Sequence, residues 1–77
     1  MLDVINNALK NTNYYICLYE NKVYIYNYQE IVSFNHDYIK IALNQNNIKI
    51  KGSKMLIKKM HIHELLIEGN IESIKYE

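Results

Sequence analysis

From Asn13 onward the apolar residues recur at every second position, and that period constrains the fold more than any other feature. In Lys22-Val23-Tyr24-Ile25-Tyr26, Val23 and Ile25 fall on one side and Tyr24 and Tyr26 on the other, because successive side chains of a strand alternate across its plane. Tyr28 continues the aromatic side. Tyr38 to Leu43 places Ile39, Ile41 and Leu43 inward with Lys40 outward, and Ile48-Lys49-Ile50-Lys51 repeats the pattern. Turn-forming residues separate these runs: Glu20-Asn21, Asn35-His36-Asp37, Asn44-Gln45-Asn46-Asn47, Gly52-Ser53 and Gly69-Asn70. Asn serves where Gly often would, since it tolerates left-handed backbone angles. Short strands at close spacing, with no long helix between them, predict consecutive antiparallel pairing. The expected fold is a small all-β meander or roll of about six to eight short strands.

The first residues differ. Leu2, Ile5 and Leu9 recur at helical spacing, with Asp3 in the first turn and Lys10 near the end, each complementing the helix dipole. Residues 1–12 are therefore expected to form a short amphipathic helix or tail, and residues 13–77 one β domain. A faint repeat offset by 17 residues, Ile50-Lys51-Gly52 with Met55-Leu56-Ile57 and Ile67-Glu68-Gly69 with Ile71 and Ile74, hints at regular stacking. Two copies are too few for a solenoid.

A chain of 77 residues hides only about 60% of its unfolded surface. It gains from a staple or a partner, and its single cysteine forms no internal disulfide. The nine basic residues are all Lys, and the net charge is +1. A dedicated nucleic-acid binder shows a basic face rich in guanidinium groups, so nucleic acid is not an expected partner. Tyr, Asn, Ile and Lys all have AT-rich codons, which weakens the eight tyrosines as a functional signal. No apolar run reaches the roughly 18 to 20 residues that cross a bilayer, and the N-terminus has no basic segment followed by an apolar core. The expectation is a soluble, intracellular chain with Cys17 reduced.

Few residues offer chemistry. His61 and His63 of His61-Ile62-His63-Glu64 would share a face on a strand, but a zinc site needs further ligands, and Cys17 and His36 are the other strong candidates. A polar connection between two strands explains the cluster as well. Cys17 lies among Tyr15, Ile16, Leu18 and Tyr19, where a thiol serves as a small hydrophobe. Glu64, Glu68, Glu72 and Glu77 form no acid pair, and the two glycines form no phosphate loop. The expectation is a protein that is no enzyme, with no catalytic residue, metal, cofactor or small-molecule substrate. Lys51, Lys54, Lys58 and Lys59 make the most basic stretch, a solvated strand face or a weak attraction to anionic lipid. The Tyr24, Tyr26, Tyr28 stripe gives its strand apolar area on both sides. Either a second layer of the same chain covers the stripe, or a partner does, which makes these three the candidate partner-binding residues.

The segment from Val23 to Tyr76 resembles the YabP/YqfC family of sporulation proteins, and more closely the YqfC branch. The likeness rests on Tyr24-Ile25-Tyr26-Asn27, on Ile31-Val32-Ser33-Phe34 and on Ile48-Lys49-Ile50-Lys51-Gly52 followed by Met55-Leu56-Ile57. Most specifically it rests on the closing run Glu64-Leu65-Leu66-Ile67-Glu68-Gly69-Asn70-Ile71-Glu72-Ser73-Ile74-Lys75-Tyr76. The chain departs from the family pattern at Tyr26, where an acid is usual, at Tyr28, where His is common, and at Glu30, where Gly is common. Its N-terminal region is also shorter than in many members. The resemblance implies a non-enzymatic assembly or adaptor protein of endospore formation, with no catalytic residue to carry over. The implied partner is an integral membrane protein of the YqfD kind, in preference to one of the YabQ kind. The implied location is cytoplasmic, on the mother-cell side, peripherally at the forespore envelope. The alternative is a self-associating component of a spore layer.

Overall fold

In a computed structural model of the chain, residues 14–77 are described. They form six strands: β1 (Tyr15–Tyr19), β2 (Lys22–Tyr26), β3 (Glu30–Phe34), β4 (Tyr38–Ala42), β5 (Asn47–Met60) and β6 (Glu64–Tyr76). The helix expected over residues 1–12 lies outside the described residues. All pairings are antiparallel, in one sheet of order β1-β2-β6-β5-β4-β3. The all-β expectation holds, but a simple meander does not. β2 and β3 follow one another in sequence yet stand four places apart in the sheet, because β6 returns to pair with β2.

Nor are all strands short. β5 and β6 run 14 and 13 residues, and Gly52-Ser53 and Gly69-Asn70, expected as turns, lie inside them. The register between the two arms slips at Lys51/Gly52, Ser53/Leu56 and Ile57/Lys59. Bulges of this kind bend and twist a strand. The slips divide the sheet into two lobes. In the first, β1 and β2 pair onto residues 64–68 of β6, which pair in turn with 56–60 of β5. In the second, β3 and β4 pair onto residues 47–51 of β5, which pair with 73–76 of β6.

Both lobes contribute to one core. Val23, Ile25, Leu65 and Ile67 come from the first and Ile39, Ile41, Ile48 and Ile50 from the second, joined by Met55 at the bend and Leu43 at the rim. A single thin sheet leaves both faces wet, so side chains with no exposed surface show that the inner faces cover one another. The sheet is doubled over on itself. Removing an Ile side chain from water is worth about 2 kcal/mol, and the alternation seen in the sequence supplies these residues. No polar side chain is buried among the described residues.

The bend is made by close approach. A Cβ on Gly69 would lie 2.7 Å from the Met55 Cα, and one on Gly52 would collide with the Asn70 carbonyl. The 17-residue offset that hinted at stacking therefore marks matched bend positions in the two arms of one hairpin. The turns at the ends of the short hairpins close onto this region: Gly69 N–H donates to Asn21 O, Gly52 N–H to Asp37 O and Met55 N–H to His36 O. Glu20 turns β1 into β2 with φ 51°.

Candidate functional site

Because the inner faces meet, the outer faces of the two lobes look away from each other, and register determines what each presents. On the first lobe, Tyr15 stands opposite Tyr26 and Tyr26 opposite Glu64. One row further along, Cys17, Tyr24, Leu66 and Lys59 are successive partners across four strands. Between these side chains lies a groove of about 370 Å³, lined by Tyr15, Cys17, Tyr19, Tyr24, Glu64 and Leu66 among others.

Tyr24 and Tyr26 are where the alternation placed them, on the outer face of β2. Tyr24 is half-buried, and its hydroxyl donates to Glu64 Oε1 at 2.7 Å. That hydrogen bond, helped by desolvation and the carboxylate charge, pushes the Tyr24 phenol up to about 12. Tyr26 is 37% exposed, with its ring centroid 6.5 Å from that of His63. Tyr28 does not share their face. It follows Asn27, whose φ of 63° turns the chain out of β2, and it packs against the core with its hydroxyl donating to His61 O at 3.1 Å. The stripe therefore runs across the strands instead of along one. Tyr15 and Tyr19, 39% and 48% exposed, extend it onto β1, which pairs only with β2 among the described residues. Cross-strand neighbours of this kind carry no sequence signal until the pairing is known.

The remaining candidates are dispersed. His61 and His63 lie in the tight β5–β6 turn, where the His61 and Glu64 backbones exchange hydrogen bonds, and not on a strand face. His36 sits in the β3–β4 turn with Nδ1 3.2 Å from Met55 O. Among the described residues no three His, Cys, Asp or Glu side chains converge as a metal would need. Cys17, expected inside the apolar run, is half-buried and faces the groove. The basic stretch is split by the bend. Lys51 belongs to the outer face of the second lobe, whereas Lys59 lines the tyrosine groove of the first.

The second lobe presents a different surface. Lys40, Lys49 and Lys75 are successive partners on β4, β5 and β6, and Lys51 follows one outward position along β5. Lys40 pairs with Glu77 at 2.9 Å, and Lys49 stands 4.7 Å over the Tyr38 ring centroid. The Lys40 hydrogen bond, with the charges of Lys40 and Lys49, holds the Glu77 carboxyl below its ordinary value.

The sequence model of the YabP family matches residues 11–77, which takes in every strand described above. The chain belongs to the YabP family. It is also similar to a Bacillus subtilis (strain 168) protein described as "uncharacterized protein YqfC", at 30% identity over 54 residues. That match covers 70% of this chain and 58% of the relative, so the chain spans a little over half the length of that protein. Membership of the YabP family suggests a sporulation-related protein. Among the described residues no helix is long and apolar enough to cross a membrane.

Proposed function

We propose that this YabP-family chain is a non-enzymatic adaptor of endospore formation, which binds an integral membrane protein of the YqfD kind through the outer face of its first lobe. The observation that carries this reading is the outward tyrosine row beside β1, a strand paired on one side only among the described residues. Tyr24 and Tyr26 stand next to β1, whose residues Tyr15–Tyr19 include no charged side chain. Tyrosine suits interfaces because it offers a large apolar ring with a polar tip, and an open strand can take a partner strand by backbone hydrogen bonding. Tyr28 serves this face indirectly, by anchoring the chain after β2 to the β5–β6 turn. The setting is the cytoplasmic, mother-cell side of the forespore envelope.

The test is co-purification with the membrane protein encoded beside the chain. Tyr24→Ala with Tyr26→Ala, folded by circular dichroism, is expected to lose most of the recovered partner. Unchanged recovery would remove the tyrosine face from the contact. The same one-sided pairing of β1 favours one further reading, self-association into a spore layer, because an uncharged edge strand with Leu18 54% exposed is a template for pairing with its own kind. Light scattering at micromolar concentration decides it, since a monomer at every concentration excludes that assembly.

A further inference from the structure

The outer face of the second lobe is arranged against its own stability. Like charges directly opposite one another on neighbouring strands repel, yet Lys40, Lys49 and Lys75 form an unbroken row over three strands. Lys51 adds a fourth ammonium diagonally. Only Lys40 makes a direct salt bridge there, to Glu77, whose charge Lys49 also feels. The salt bridges among the described residues are Lys22–Glu68 and Lys40–Glu77; Lys51 and Lys75 are exposed with no ion pair, and Lys49, half-buried over Tyr38, makes no direct salt bridge. Between them lies a depression of about 310 Å³, lined also by Ser73, Tyr76 and Glu77.

We propose that this face binds the phosphates of an anionic lipid bilayer, with Lys49, Lys51 and Lys75 meeting the headgroups and Ser73 among them. The geometry favours a bilayer over a nucleic acid in three respects. All the cations are Lys, which act as point charges, with no guanidinium fork to grip a phosphodiester backbone. The face is a sheet surface, and among the described residues no helix projects from it to enter a groove. Of its two aromatic neighbours, Tyr38 lies beneath Lys49, and Tyr76 is tied through its hydroxyl to that of Tyr14 with the two rings tilted together, so neither is free to stack on a base. With the second lobe on lipid, the tyrosine face of the first lobe points away from the bilayer, where it meets only a part of a membrane partner that projects from the surface. Lipid binding stands independently of the partner proposed above.

Vesicle co-sedimentation tests it, with equimolar phosphatidylglycerol and phosphatidylcholine compared with phosphatidylcholine alone. The wild-type chain is expected to bind only the anionic vesicles and to be released by salt. Lys51→Gln with Lys75→Gln is expected to lower the partition coefficient roughly 30-fold, as follows from the usual contribution of two surface lysines. The same double variant is expected to melt at the wild-type temperature or above it, because it relieves repulsion. That combination, weaker binding without weaker folding, is not produced by general damage. Lys58→Gln with Lys59→Gln removes equal charge outside this face, near the hairpin tip where Ile62 is 84% exposed, and is expected to bind within a few-fold of wild type. The proposal is overturned if the wild-type chain ignores anionic vesicles or binds neutral ones equally. It is also overturned if the Lys58/Lys59 variant loses as much as the Lys51/Lys75 variant, which would place the contact at the tip. Displacement by inorganic phosphate beyond that caused by chloride at equal ionic strength would overturn it in favour of an isolated phosphate site. Tighter binding to a short DNA duplex would do so in favour of nucleic acid.

Discussion

At the scale of single residues, Tyr24 combines two roles. Its ring belongs to the outer face of the first lobe, and its hydroxyl ties β2 to the start of β6 through Glu64. Because its folded value of about 12 lies above the unfolded value near 10, the protonated phenol stabilises the folded state. That contribution is fully present below pH 10 and is lost as pH rises through 12. Ultraviolet titration of the wild-type chain against Tyr24→Phe isolates this group. The difference signal is expected to have its midpoint near 12, and to fall back toward 10 when Glu64→Gln removes the carboxylate. A midpoint unmoved by Glu64→Gln would show that the hydrogen bond is not the cause.

At the scale of elements, the long β5–β6 hairpin organises the rest, and its bend depends on two positions without side chains. Gly52→Ala puts a methyl group onto the Asn70 carbonyl, a backbone atom with no freedom to swing aside. The loss expected in chemical denaturation is at least about 2 kcal/mol, within the range for overpacking a closed site. A loss below about 0.5 kcal/mol, the usual size for a surface change, would mean that the arms do not approach so closely. Alternation at Val23/Ile25, Ile39/Ile41/Leu43 and Ile48/Ile50 was enough to identify core positions, because burial of one face imposes period two. Glu20-Asn21 and Asn35-His36-Asp37 were legible as turns. Gly52-Ser53 was not, since a glycine that permits close backbone approach has the same sequence appearance as one that permits a turn. The long-range pairing of β2 with β6 leaves no local trace at all. The lysine row followed from the same blindness: Lys40, Lys49 and Lys75 lie far apart in sequence and meet only through register.

At the scale of the whole molecule, a core assembled from both lobes changes what a partner is needed for. The shortness of the chain and the apolar area on both sides of β2 raised the prospect that another chain completes the core. Instead the second lobe covers Val23 and Ile25, and the fold is clasped at its open end by Tyr14, whose hydroxyl lies 2.6 Å from that of Tyr76. What remains for a partner is the outside: the tyrosine row with the β1 edge on one lobe, and the lysine face on the other. The outer tyrosine face and β1 are therefore expected to change on binding while the core does not. Hydrogen–deuterium exchange of the chain alone and with the proposed membrane partner measures this directly. New protection is expected at the amides of residues 15–19, whose strand pairs on one side only among the described residues, with exchange over residues 38–51 unchanged. Protection confined to β3 and β4, with residues 15–19 exchanging as in the free chain, would contradict it.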